Sequence, residues 1–253
     1  MSEQTNMITH LNRVVDCATI EEVWKLHTER MAAFGFSRLL YGYTSYRTGN
    51  SFGDRGDMLI LSNHHPNYVK KFIDDQLYFH APMVRWAAEN VGACSWSWMR
   101  DNMDALSSSE RKVLEFNKMM GVVAGYSISF RDTSPRAKGA IALTAPEDTS
   151  QSEVDAYWQT HGDEITVLNK VAHLKITTLP RATHSRSLTK RQREVLEWVG
   201  DGKTMQDIAI LMDLTPATVE KHLRLAREAL DVETTAQAVL KASVNRQIFV
   251  VEP

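Results

Sequence analysis

LTKRQREVLEWVGDGKTMQDIAILMDLTPATVEKHLRLAREALDVETTAQAVLKASVNRQI, residues 188–248, carries the clearest structural signal in the chain and divides into four short helical segments. Thr189 with Gln192 three residues on spells a capping box, Val195, Leu196 and Val199 supply one apolar face, and Gly202 stops the helix. Thr204 caps a second segment bearing Ile208, Ala209 and Leu211, and a tight turn follows at Asp213 and Leu214. Thr215 then stands as N-cap directly before Pro216, where a proline costs nothing because the first helical N–H has no partner in any case. Along the third segment Val219, Leu223, Ala226 and Leu230 recur at i, i+4, i+7 and i+11, a single buried stripe. Glu220, Lys221, Arg224 and Arg227 fall on the other side.

A short helix, a tight turn and a helix with a basic outer face is the arrangement that lays the second helix in the major groove of B-DNA. On that geometry Arg224 is placed to read guanine edges and Glu220 to accept from a cytosine amino group. Lys203, Thr204, Lys221 and His222 are placed to meet phosphates. A plain helical bundle with a solvated charged face fits the same pattern. The spelling LTKRQREVLEW, then DGKTMQDIA, LTPATVEKHL and TAQAVLKA, resembles the DNA-binding domain of the LuxR-type transcription regulators at matching spacing. That resemblance implies double-stranded promoter DNA as a partner. Gln192 stands where the family usually has Glu, and an amide closes a capping box as well as a carboxylate does.

The rest of the chain is long enough for a second domain, since 253 residues exceed the usual span of one core. TTLPRATHSRS (177–187) has no apolar periodicity and reads as a linker between residues 1–176 and 188–253. A net charge of -2 gives no bulk attraction to nucleic acid, so DNA binding rests on where the basic residues lie. No apolar run is long enough for a membrane span, and the N-terminal MSEQTNMITHLNR lacks the pattern of a secretory signal, so a cytoplasmic protein is expected. Cys17 and Cys94 then read as free thiols.

Upstream of the linker, residues 37–46, 57–62, 122–130 and 138–144 have strand composition, with 131–138 as the hairpin connection between the last two. Residues 20–35, 66–76, 81–90 and 107–121 read as amphipathic helices. A long helix from Ser150 leads into the linker, open to interruption at Gly162. An α+β domain followed by an all-α domain is the fold class this implies.

HHPNYVKKFIDDQLYFHAPMVRWAAENVGACSWSW (64–98) resembles the acyl-homoserine-lactone-binding domain of quorum-sensing LuxR-type regulators. The resemblance implies an α-β-α sandwich around an antiparallel sheet, a homodimer and a small apolar signal molecule. The family's pattern is Trp, Tyr four residues on, Asp-Pro nine further and then Trp. Here those places hold Tyr68, Phe72, Ala81-Pro82 and Trp96. The family's first Trp donates to the lactone carbonyl, a role the Tyr68 hydroxyl can fill. Its Asp accepts from the ligand's amide N–H, which Ala81 cannot do. Open readings are therefore a lactone receptor, an orphan receptor for another molecule or for none, and an interaction protein that sequesters a partner regulator.

Gly121, Gly125 and Gly139 match further family positions, and Ser129 replaces a proline. By strand alternation Gly125, Ser127 and Ser129 share one face and Ala140, Ala142 and Thr144 share another, all small side chains. If these faces adjoin beneath Tyr68 and Phe72, with Trp96 as a wall, they leave room for a ligand. Close packing of a helix explains the same small residues. His64, His65 and His80 lack metal-ligand spacing, Asp74 and Asp75 point to different sides of a helix, and no G-x-S-x-G occurs. Neither a metal, a cofactor nor an enzyme activity is expected.

Overall fold

A computed structural model describes residues 3–49, 51–181 and 188–250. The chain forms two compact units, the first built mainly on Met1–Cys17, Glu21–Gly53 and Met58–Thr177, the second mainly on Thr178–Pro253. Among the described residues no helix is long and apolar enough to cross a membrane.

The first unit opens with helices α1 (Glu3–Asp16) and α2 (Ile20–Ala33), followed by strands β1 (Arg38–Thr44) and β2 (Leu59–Ser62). Next come α3 (Pro66–Val69), running into a π turn at Lys70–Asp74, a 3-10 turn at Leu77–His80, and α4 (Pro82–Glu89). Strand β3 (Gly92–Ser95), α5 (Ser97–Asp101), α6 (Ser108–Met119), β4 (Gly125–Ser129), β5 (Lys138–Thr144) and α7 (Gln151–Thr178) complete it. The five strands form one sheet in the order β2-β1-β5-β4-β3, and every neighbouring pair is antiparallel. Strand β3 was not among the predicted strands. GACS offers no β-branched side chain, and the segment pairs only with β4, at the sheet edge.

One face of the sheet carries the aromatic residues and meets α7. The Tyr126 ring stacks on Trp158 at 3.8 Å, Phe130 stacks on His173 at 4.1 Å, and the Tyr41 hydroxyl lies 2.9 Å from His173 Nδ1. Helix α2 joins α7 through His27 Nε2 to Asn169 Oδ1 at 2.9 Å and through the Arg30–Glu164 ion pair, also at 2.9 Å. Gly162 does not interrupt α7. A Cβ there would meet Trp158 Nε1 at 2.4 Å, so the glycine makes room for the indole that stacks on Tyr126. Of the predicted linker, residues 177–181 are described. Thr177 and Thr178 still belong to α7, Leu179 and Arg181 are buried, and the Arg181 N–H donates to the Asn245 carbonyl. Residues 182–187 lie outside the described residues.

The second unit consists of α8 (Lys190–Gly200), α9 (Met205–Leu211), α10 (Pro216–Leu230) and α11 (Thr235–Val244). Capping boxes at Thr189/Gln192, Thr204/Asp207 and Thr234/Gln237 start three of them, and Thr215 caps α10 ahead of Pro216. Gly202 at φ +81 and Asp213 at φ 53 make the left-handed turns between helices. Val219, Leu223, Ala226 and Leu230 all enter one core with Val195, Leu196, Ile208 and Ala238.

Candidate functional site: a sensor cavity and a helix-turn-helix face

On the sheet face opposite α7 the side chains are small, and the register explains why they collect. Gly125 pairs with Thr144, Ser127 with Ala142 and Ser129 with Ala140, while Leu40 and Gly42 of β1 pair with Ala142 and Ala140 from the other side. Helices α3, α4 and α6 lie over this floor. Between them is a cavity of about 460 Å³, within the volume range of small-molecule sites.

Seven of the eight predicted ligand residues line this cavity: Tyr68, Phe72, Ala81, Trp96, Ser127, Ala142 and Thr144. Ser129 does not. Its Oγ lies 2.7 Å from both the Ala87 and the Asn90 carbonyl oxygens, so it ties β4 to the C-terminal end of α4. The sequence reading also missed Leu40, Met58, Ile60, Tyr78, Met99 and Asn117 on the lining. Alternation along β1 was the signal that would have found Leu40.

Hydrogen bonds within the lining narrow what each polar group can do. The Trp96 Nε1–H donates to Ser127 Oγ at 3.0 Å, and the Tyr68 hydroxyl donates to Asn117 Oδ1 at 3.2 Å. The lactone-carbonyl donor expected of Tyr68 is therefore already engaged within the protein. Tyr68 stacks with His64 at 4.5 Å, Phe72 at 5.3 Å and Phe116 at 5.6 Å, and burial raises its pKa against the opposing effect of the Arg38 charge. Burial, assisted by Arg38, pushes His64 down to about 4, so the imidazole in the lining is neutral near pH 7. His65 instead caps α3 by accepting from the Asn67 N–H, and His80 is exposed. Ala81 is the buried N-cap of α4, with no side-chain cap.

The exposed side of α10 carries Ala217, Lys221, Arg224 and Glu228 at i, i+4, i+7 and i+11. Arg224 pairs with Glu228, an exposed i,i+4 contact that DNA can displace at small cost. Lys203 is exposed at the entry to α9, and His222 is half-buried. Two further residues predicted to meet DNA, Glu220 and Thr204, hold partners within the protein. Glu220 holds Arg227 at 3.0 Å while Arg227 also donates to Thr235 Oγ1 at 2.9 Å, which fastens α10 to α11. Thr204 Oγ1 is the cap of α9 and donates to the Asp207 carboxylate at 2.6 Å. The cap was legible from Thr204 standing ahead of the helical segment, whereas the Glu220–Arg227–Thr235 link joins two helices and has no local signature.

Comparison with known proteins matches residues 19–176 to the autoinducer binding domain and residues 186–242 to the bacterial regulatory proteins of the luxR family. The transcriptional activator protein ExpR of Dickeya dadantii is 26% identical, over 72% of this chain and 76% of its own. EchR of Dickeya chrysanthemi, also a transcriptional activator protein, is 25% identical over 78% of this chain and 81% of its own. Among solved structures, SdiA in complex with octanoyl-rac-glycerol superposes with a TM-score of 0.56 at 16% identity, covering 99% of both chains. The fold is therefore shared with a regulator of the same architecture. With the autoinducer-binding match spanning more than half of its length, the chain belongs to the quorum-sensing LuxR-type transcription regulators, an autoinducer-binding domain joined to a luxR-family helix-turn-helix domain.

Proposed function

We propose that residues 1–176 sense a small apolar signal in the cavity above β1, β4 and β5, and that residues 188–253 bind promoter DNA with α10 in the major groove. The observation that carries the sensing role is the cavity itself: about 460 Å³ lined chiefly by Leu, Ile, Met, Val and aromatic side chains. An apolar void of that size is costly to leave empty, which favours a liganded receptor over an orphan without a ligand. The ligand is chiefly an acyl chain or small ring, held by dispersion contacts and oriented by the few hydroxyls at the floor. SdiA, of the same fold, is known in complex with octanoyl-rac-glycerol, an acyl ligand of that kind.

Direct DNA binding is supported by exposed Lys203, Lys221 and Arg224 on the helix-turn-helix. Val167 and Leu174 lie seven residues apart on α7, and Leu240 lies on α11, all exposed apolar side chains that a second copy of the chain would cover. A homodimer reading a two-fold operator in the cytoplasm fits these surfaces. Mass spectrometry of small molecules extracted from the purified protein tests the sensing role, and recovery of no bound compound together with no uptake of an added apolar dye refutes it. A gel shift titrated with salt tests DNA binding, and a complex indifferent to salt refutes phosphate contact.

A further inference from the structure

Where β3 ends, β4 loses its neighbour on that side. Ser95 still pairs with Tyr126, but at Trp96 the backbone turns into helical geometry, φ -73 and ψ -5, to start α5. That turn brings the indole into the cavity wall, where its Nε1–H donates to Ser127 Oγ at 3.0 Å. The Trp96 N–H still donates to the Gly125 carbonyl at 3.1 Å, whereas the Gly125 N–H, on the same side of β4, has no strand residue left to accept it. The Gln151 side chain takes that place. Its Oε1 accepts from the Gly125 N–H at 2.9 Å and its Nε2 donates to the Gly125 carbonyl at 3.1 Å, so one side-chain amide stands in for a strand peptide. The same Nε2 lies 2.9 Å from Asp155 Oδ1 and 3.0 Å from Ser95 Oγ, and Ser95 Oγ donates to Asp155 Oδ1 at 2.6 Å. A carboxylate beside Nε2 and an N–H beside Oε1 leave the amide one orientation. Gly125 has no room for a side chain, because a Cβ would collide with the Leu143 carbonyl oxygen and meet Trp96 Cη2 at 3.1 Å. The indole thus packs directly on the backbone that Gln151 holds. Gln151 is the first residue of α7 and does not itself line the cavity.

We propose that Gln151, oriented by Asp155, is a positioning residue for signal binding: it fixes the β4 backbone against which the Trp96 wall of the cavity rests, and so sets ligand affinity from outside the cavity. This assignment rests on the proposed sensing role of the cavity. Without the amide the Gly125 N–H has no partner, and the β3–α5 corner is free to shift and to carry the indole with it. The start of α7 does not depend on the Gln151 side chain, because the Glu153 carboxylate accepts from both the Ser150 N–H and the Ser150 hydroxyl. A substitution at Gln151 therefore acts on the corner and leaves the cap of the helix in place.

The test is a double-mutant cycle on full-length protein, read by the fluorescence of bound Nile red. Gln151→Met keeps the length of the side chain and removes both contacts to Gly125. It is expected to weaken dye binding by about fivefold to tenfold, the loss of roughly one net hydrogen bond. In a Trp96→Phe background the same substitution is expected to change dye binding by less than about twofold, while lowering the melting temperature equally in both backgrounds. A purely structural role would weaken the dye by the same factor in each. Asp155→Ala leaves the Gly125 contacts in place and removes the acceptor that orients the amide. It is expected to act in the same direction with a smaller effect that also disappears with Trp96→Phe, and it reads the coupling if Gln151→Met does not fold. Unchanged dye affinity in these variants, or equal weakening in both backgrounds, overturns the positioning role and leaves the sensing role standing. If the wild type does not bind Nile red at all, the sensing role falls and this assignment falls with it.

Discussion

Ala81→Asp restores the family's carboxylate at the N-cap of α4, and the structure sets what that costs. Ala81 has extended backbone, φ -81 and ψ 121, with Pro82 at the first helical position and no side-chain cap. An aspartate in that conformation can accept from the free N–H of Met83, a contact that stabilises a helix by about 0.5–2 kcal/mol. The helix dipole adds roughly 0.3–1 kcal/mol for an anion at this end. Against this stands burial, since Ala81 is only 4% exposed and a carboxylate taken out of water loses several kcal/mol of hydration, on the order of the cap and dipole gains combined or more. The unliganded variant is therefore expected to melt below the wild type. An amide ligand reverses the balance by donating to the second carboxylate oxygen, a charge-assisted bond of roughly 1.5–3 kcal/mol, or about tenfold to a hundredfold in affinity. An ester ligand places an oxygen lone pair against the same carboxylate and loses affinity. Titration calorimetry on both proteins with N-octanoyl homoserine lactone and its ester analogue, α-octanoyloxy-γ-butyrolactone, reads all of this. Tight binding of the amide by the wild type, with no gain in the variant, would show that another group pairs the amide and that position 81 does not select the head.

Arg224→Ala is expected to weaken specific operator binding by roughly 1–3 kcal/mol and relax base preference, whereas Lys221→Ala lowers specific and non-specific binding alike with about one unit less salt slope; equal effects of both on sequence preference refute the assignment. Breaking the exposed Arg224–Glu228 pair should leave the melting temperature nearly unchanged, so calorimetric melts serve as the control. Burial lowers both His27 and His64 to about 4, below the unfolded value of 6.5, so their contribution is complete above pH 6.5 and is lost as pH falls toward 4. Each histidine accounts for about 2 kcal/mol between pH 7 and pH 5, and chemical denaturation that is flat across that window contradicts the burial of these rings. Gly162→Ala, a stabilising change in an ordinary helix, is expected to destabilise by roughly 1–3 kcal/mol because the new methyl group meets Trp158, and a raised melting temperature shows that the indole can move aside.

What could be read in the sequence divides along one physical line. Periodicity and capping are local, so the buried stripe of α10, the Thr215-Pro216 start, the capping box of α8 and the Thr204 cap of α9 were legible within a few residues of each position. Strand alternation likewise put Ser127, Ala142 and Thr144 on faces that the β4–β5 register then joined. Which partner each polar atom holds is set by distant chain segments, and no local pattern carries it. Ser129 is held by carbonyls at the C-terminal end of α4 some forty positions away, the Tyr68 proton goes to Asn117 on α6, and Glu220 holds the Arg227 that bonds α11. Strand β3 escaped for a related reason, since GACS has little strand character of its own and is held at the edge by β4. These displaced roles matter for the mechanism. With the Tyr68 proton and the Trp96 indole N–H both used inside the protein, neither is free to meet a ligand, and Ala81 supplies no side-chain acceptor. Ala81→Asp therefore adds an acceptor at the lining without breaking either of those internal bonds.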